Sequence, residues 1–369
     1  MQNSAQIVAT KLNNMEEKIK STQSKCSSCG ANLCFCPPSQ DLACEKCNSH
    51  YPINNKGIIE THDLFNKDIL KQAKHDEYVE KNKVFKCPNC GANVLLNSYE
   101  IAKSCPYCGT SLVIDTDVIP GNKPDVCIPF AFDEKGANEK FATGIKKKFW
   151  APRKFKKGIP QSQIRGVYIP AFAYDLDTAS SYKGRLYNDE SHTDSDGRSH
   201  TERHYFYISG NHNARFEDEI VECSSKIEQK DIMGVLPYRH NEQKAYTNEY
   251  ILGYAVEHYN KNAEDSYPTC QNIVDSKIRS QILSKYSYDG VDYLNVDSTY
   301  SNQKYRYCLL PIYRFDYSYK NKKYITYMNG QTGRVDNNVP KSKLKIFFAI
   351  LIPLLIVLSI IILPIILGD

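Results

Sequence analysis

Eight of the chain's 14 cysteines fall in Cys-x-x-Cys pairs, and that spacing is the chemistry of a thiolate-bound metal. Cys26-Ser-Ser-Cys29 and Cys44-Glu-Lys-Cys47 are separated by fourteen residues, as are Cys87-Pro-Asn-Cys90 and Cys105-Pro-Tyr-Cys108. Two cysteines three positions apart in a tight turn place both sulfurs on one side of the backbone. The residue after the second cysteine is often at positive φ, and Gly30, Asn48, Gly91 and Gly109 are types that tolerate it. The spacing therefore predicts two four-cysteine zinc ribbons and two structural Zn2+ ions. Segments this short bury little core, and zinc binding, worth ~10–16 kcal/mol, supplies the missing folding energy. Four thiolates leave no open coordination position, so the metal would be structural. A thioredoxin-type redox centre would need one such pair inside a βαβ unit, and four evenly arranged pairs do not fit it. Cys34 and Cys36 lie inside the first loop as competing ligands, and His50 is a substitute ligand or a surface side chain.

Two further constellations could do chemistry. Lys146, Lys147, Lys148, Arg153, Lys154, Lys156 and Lys157 form the densest basic patch, interleaved with Phe149, Trp150 and Phe155. It reads either as an anion-binding surface or as a solvated helix end whose cations complement the helix dipole. His192, His200, His204 and His212 lie among Asp194, Asp196 and Glu202. This suggests an extra metal or acid–base site, or simply an exposed hairpin in which His200, Glu202 and His204 share a strand face. The intervening Thr-Glu-Arg is not the Glu-x-x of a zinc-protease helix.

The elements that would hold these groups divide the chain into an N-terminal helix (1–23), ribbon one (24–60), a helical spacer (61–84), ribbon two (85–118) and an α+β domain (125–338). Within that domain the pattern predicts a strand over 126–132 and an amphipathic helix over 134–150, burying Phe141, Ile145 and Phe149. Residues 166–177 and 307–317 both read as apolar strand, proline, aromatic strand and Asp. They are expected to start two similar hairpins, turning at Lys183-Gly184 and Lys320-Asn321, with Pro170 and Pro311 at edges or bulges. Residues 216–300 are expected to be mainly helical, with helices over 249–260 and 270–286 before a strand over 291–296. Twenty-seven tyrosines, most beyond residue 167, favour strands there.

Net charge is +5, too weak to imply nucleic acid by itself. The other cysteines show no framework spacing, which suits a reducing compartment, and residues 1–25 carry no secretory signal. Residues 346–367 are uncharged and would span ~33 Å as a helix, enough for a bilayer core. With Lys341, Lys343 and Lys345 preceding it, the positive-inside rule predicts a single-pass cell-membrane anchor with the bulk of the chain cytoplasmic. The expected fold class is thus α+β: two zinc ribbons, a β-rich domain and one C-terminal transmembrane helix.

The chain resembles a family of uncharacterised bacterial membrane-anchored zinc-ribbon proteins. Many of these are labelled after the zinc region of the primosomal helicase or the zinc ribbon of transcription factor B. The matching motifs are Cys87-Pro-Asn-Cys-Gly and Cys105-Pro-Tyr-Cys-Gly, Ile128-Pro-Phe, Phe149-Trp-Ala-Pro-Arg-Lys-Phe155, Val167-Tyr-Ile-Pro-Ala, Leu310-Pro-Ile-Tyr and Asn329-Gly-Gln-Thr-Gly-Arg334. They cover residues 26–367; the Cys34/Cys36 insertion and the His-rich hairpin depart from the pattern. The resemblance implies zinc binding and an anchor, and no reaction. The chain contains no Gly-x-x-x-x-Gly-Lys-Ser/Thr loop, Gly-x-Ser-x-Gly elbow or Gly-x-Gly-x-x-Gly fingerprint. The leading expectation is a non-enzymatic adaptor recruiting a protein partner to the membrane. Its rivals are a nucleic-acid-binding ribbon protein using the basic patch and a metal-dependent enzyme using the His192–His212 hairpin.

Overall fold

The computed structural model describes residues 26–65, 82–86, 90–97, 102–104, 106–107, 111–113, 123–157 and 163–367, apart from 32, 195–196, 198, 225, 258 and 337. The expected N-terminal helix and most of the helical spacer lie outside these residues.

Ribbon one is a small antiparallel sheet of β1 (Leu33–Cys36), β2 (Asp41–Cys44) and β3 (His50–Tyr51). Its apolar residues Leu33, Phe35 and Leu42 are buried in the same cluster as the main body. Beyond it, β4 (His62–Asp63), β5 (Asn82–Lys86) and β6 (Asn93–Asn97) join a ten-stranded mixed sheet, while β7 (Ala102–Ser104) and β8 (Ser111–Val113) pair separately. The two ends of the proposed spacer are therefore strands. Three long strands dominate the sheet: β10 (Gln163–Thr193), β11 (Ser199–Glu222) and β14 (Gly290–Tyr319). β10 lies between the other two, antiparallel to both.

The two proline-containing stretches are not separate hairpins, as expected from sequence, but partners of each other, with Val167 opposite Ile312. Their similarity is that of two neighbours sharing one environment. β10 runs straight through Lys183-Gly184, whereas the turn at Lys320-Asn321 does form, leading into β15 (Lys322–Asn329). Pro170 and Pro311 sit inside the sheet without breaking it. The Pro170 carbonyl accepts from the Cys223 amide, and the Pro311 carbonyl accepts from the Gly330 amide. Each proline nitrogen thus points away from the β10–β14 ladder, so no ladder donor is missing.

Both faces of the sheet are covered along 167–174, which explains the near-continuous apolar run there. On one face Tyr168, Phe172 and Tyr174 pack with α1 (Glu134–Lys147) and α4 (Ala263–Leu283). On the other, Val167, Ile169, Ala171 and Ala173 pack with β9 (Val126–Cys127) and α3 (Gln229–Val235). Tyrosine serves here as a core residue because its hydroxyls find carbonyls: Tyr168 donates to Tyr250, Tyr174 to Ala263, Tyr238 to Pro311 and Tyr313 to Phe132.

Several element predictions are corrected. The helix over 134–150 stops at Lys147; Phe141 and Ile145 are buried, but Phe149 is exposed, since the chain has already left the helix. A short α2 (Arg153–Lys157) follows. The region 216–300 is not mainly helical. Residues 249–260 form a 3-10 turn at Asn248–Ile251 and the strand β13 (Ala255–Glu257), which runs parallel beside β10; β12 (Lys244–Ala245) pairs with β9. Tertiary pairing overrides the local pattern there. Of the elements expected there, α4 matches, with Val274, Ile278 and Ile282 buried, and the strand over 291–296 lies within β14.

The α+β chain with two ribbons and a transmembrane helix is likewise corrected to a strand-rich molecule built on one large mixed sheet, with one assembled four-cysteine cluster among the described residues. The C-terminal segment is helix α5 (Lys343–Leu367), but among the described residues no helix is long and apolar enough to cross a membrane. The transmembrane helix, the single-pass membrane partner and the cell-membrane localisation are therefore not carried forward.

Candidate metal centre

The first quartet assembles as its spacing demands. Cys26 Sγ lies 3.4 Å from Cys47 Sγ and Cys29 Sγ 3.4 Å from Cys44 Sγ, and all four sulfurs fall within 4.8 Å of one another. Sulfurs around one Zn2+ with ~2.3 Å bonds are ~3.8 Å apart, so the set fits a single tetrahedral ion. The two turns are equivalent. Gly30 at φ +69° and Asn48 at φ +58° follow the second cysteines, and their amides close onto the Cys26 and Cys44 carbonyls, each at 2.8 Å.

Hydrogen bonds within the cluster shift its thiols in opposite directions. The Tyr51 hydroxyl, 3.3 Å away, does most to hold the Cys26 thiol down, to about 5. The Ser49 hydroxyl lowers Cys47. At Cys29 the Ala31 amide pulls the other way, yet the neighbouring sulfurs, Cys44 above all, push it up to about 12. Metal binding requires each of the four thiols to give up its proton. None of the rival ligands Cys34, Cys36 and His50 joins the set. Cys34 sits on β1 with its sulfur toward Glu45, and His50 Nδ1 is engaged by Asp41 at 2.9 Å. The module is fixed to the body by the Phe35 ring against Tyr250, by the Phe35 amide on the Leu252 carbonyl, and by Gln40 Nε2 on the Phe130 carbonyl.

Of the second quartet, Cys87, Cys105 and Cys108 lie outside the described residues. Cys90 lies within them and is followed by Gly91 at φ +69°, the value of Gly30. The two residues between its last cysteines are buried against the sheet, where the Tyr107 hydroxyl donates to Glu257. Ser224 Oγ donates to the same carboxylate at 2.6 Å, and the Ser224 amide donates to Glu222. Sequence reasoning missed this acidic pair, whose members are 35 positions apart. Burial, opposed by the Ser224 amide and reinforced by Glu257, pushes Glu222 up to about 7. A carboxyl raised on folding favours the folded state below its unfolded pKa, and that contribution is lost as pH rises through about 7. Wild-type protein should therefore lose stability between pH 5 and 8 more steeply than Glu222→Gln. One proton of difference caps the slope at about 1.4 kcal/mol per pH unit. Denaturant midpoints across that range measure it, and parallel pH curves would refute it.

The other sequence candidates do not converge. In the basic patch, Lys148 Nζ donates to the Val335 carbonyl and Lys156 Nζ to the Lys146 carbonyl. Phe155 is buried, while Phe149 and Trp150 pack edge to face, both exposed. Lys146, Lys147, Arg153, Lys154 and Lys157 lie along α1 and α2. The histidines do lie on the expected exposed hairpin, with His192 opposite His200. His200 pairs with Asp194, and His204 lies near Glu190 and Glu202. His212 instead meets Gln281 and Lys285 on and just after α4. Among the described residues, metal-capable groups occur at the cysteine quartet and at Glu60, His62 and Asp125, not on this hairpin. Also missed from sequence was Arg306, held by Asp175 and Asp218 at 3.0 and 2.6 Å, beside strand irregularities that turn both acids toward it.

Fold and centre together define a strand-rich protein bearing a four-cysteine cluster consistent with one zinc site. The chain is similar to the "Uncharacterized protein YdjG" of Bacillus subtilis (strain 168), 28% identical over 312 residues, covering 71% of this chain and 91% of that protein. No family model matches the chain, and no solved structure matches it.

Proposed function

We propose that this protein is a non-enzymatic zinc-ribbon adaptor that binds a protein partner, with a second structural zinc held by Cys87, Cys90, Cys105 and Cys108. The observation that carries the binding role is an exposed aromatic face on the three-stranded part of the sheet. Arg185, Tyr187 and Asp189 of β10 lie opposite Tyr207, Tyr205 and Arg203 of β11, and Arg185 also lies opposite Tyr293 of β14. Tyr205, Tyr207 and Tyr293 are exposed, and the guanidiniums stack on the rings, Arg203 over Tyr187 at 3.8 Å and Arg185 over Tyr205 at 4.7 Å. Tyrosine and arginine are the residues that anchor protein interfaces. The arginines are already paired, Arg185 with Asp292 and Arg203 with Asp189, so this face offers little net charge to a phosphate backbone. Protein is therefore favoured over nucleic acid as the partner.

The matching positive φ of Gly91 and Gly30 supports the second zinc, and the closed thiolate geometry of the first cluster supports a structural rather than catalytic metal. Metal analysis of the full chain is expected to give two zinc ions; one or none would remove the second site. A partner captured by the wild-type chain should be bound at least about tenfold more weakly by the Tyr205→Ala/Tyr207→Ala double variant. A His204→Ala control on the opposite strand face should bind normally. Equal capture by the double variant would overturn this surface.

A further inference from the structure

The geometry points to a second kind of metal site, chemically unlike the thiolate cluster: a hard divalent cation, of the Mn2+ class, held by Glu60, His62 and Asp125. One ligand atom from each of the three lies within 4.8 Å of the others. His62 Nε2 is 2.7 Å from Asp125 Oδ1, and the two side chains are only 15% and 11% exposed. Cis ligands on an ion with ~2.1 Å bonds are ~3.0 Å apart, so an ion can take the place of the shared proton with a small opening of the pair.

Both inner ligands are fixed by backbone rather than by each other. His62 stands on β4, paired with Tyr305 of β14, and its ring packs on the Tyr305 ring at 5.3 Å. Asp125 precedes β9. Its amide donates to the Tyr307 carbonyl, its own carbonyl accepts from the Tyr246 amide, and its Oδ2 accepts from the Tyr307 amide at 2.8 Å. With Oδ2 held by the sheet edge, Oδ1 is the oxygen presented to His62. That backbone amide does for the carboxylate what outer-shell partners do at metal sites, fixing which oxygen serves as ligand. Glu60 lies two residues before His62, with one residue between them, and is the exposed member at the solvent side.

The donor set is one imidazole and two carboxylates, which suits Mn2+ or Fe2+ far better than the sulfur-loving ions. Three protein ligands leave coordination positions for water or an oxyanion, so this ion would be exchangeable where the ribbon zinc is enclosed. The site lies outside both cysteine quartets and does not rest on the adaptor reading.

The test uses the full chain, zinc-loaded at its cysteines, titrated with Mn2+ while free Mn2+ is followed by electron paramagnetic resonance. Wild type is expected to bind one Mn2+ without releasing zinc. Glu60→Gln, a near-isosteric change at an exposed position, is expected to bind at least about tenfold more weakly, because a ligand is worth no less than the outer-shell groups whose loss costs 10–100-fold. His62→Ala should abolish binding. Absence of bound Mn2+ in the wild type, or equal affinity in Glu60→Gln, would overturn the site. The ribbon zinc content, measured in the same samples, stays the same in either case and so tests the adaptor reading separately.

Discussion

Removal of zinc, by a chelator or by Cys29→Ala, is expected to melt ribbon one while the large sheet stays folded. The three strands of this module hold Leu33, Phe35 and Leu42 as buried apolar side chains, too few to offset the ordering of some thirty residues. The ion supplies the rest, ~10–16 kcal/mol for a structural zinc. Losing it leaves Phe35 without a reason to stay against Tyr250 and frees the amide bond from Phe35 to Leu252. Amide hydrogen exchange is the direct readout. Protection over β1 and β2 should vanish on demetallation, while protection along β10 and β14 persists. Cys34→Ala, whose sulfur faces Glu45 rather than the quartet, should leave both metal content and protection unchanged. Retained protection of β1 and β2 in a sample shown to be metal-free would mean that packing alone holds the module.

Phe130→Ala is expected to be the most damaging core substitution, at ~3–5 kcal/mol. The ring is fully buried and stacks on Tyr254 at 4.3 Å, with Tyr313 at 4.7 Å and Tyr168 at 4.9 Å. It joins three elements: β10 through Tyr168, β14 through Tyr313, and the turn after β15 through Gly330. A side chain at Gly330 would lie 2.5 Å from the Phe130 ring, so that turn closes only because glycine stands there. Tyr168 and Tyr313 are tied to carbonyls by their hydroxyls and cannot collapse into the void, which places the loss at the upper end of the cavity range. Urea unfolding would register it as a fall in midpoint with an unchanged slope. A loss below about 1 kcal/mol would show that the cluster repacks freely.

Local chemistry was legible in the residues and long-range pairing was not. The Cys-x-x-Cys turns of ribbon one, the helices at α1 and α4 and the turn at Lys320-Asn321 each depend on a few neighbouring positions, and each formed. The hairpin carrying His200, Glu202 and His204 also formed, because alternation and an Asp-Gly turn are local signals. The failures share one cause. Residues 249–260 have an apolar stripe compatible with a helix, but β10 offers an open edge at Val167 and Tyr168, and Ala255–Glu257 takes it as a parallel strand. The two proline stretches resembled each other as repeated hairpins would, because adjacent central strands face the same two layers.

By itself, then, the order of amino acids determined the metal chemistry of the first ribbon, since four thiolates at that spacing have little choice but to meet. Only the tertiary structure decided which strands lie side by side, that Glu222 meets Glu257 and that Asp125 reaches His62. Such pairings join residues dozens of positions apart, and no local propensity encodes them: they follow from the way one long sheet satisfies its backbone hydrogen bonds and buries both of its faces.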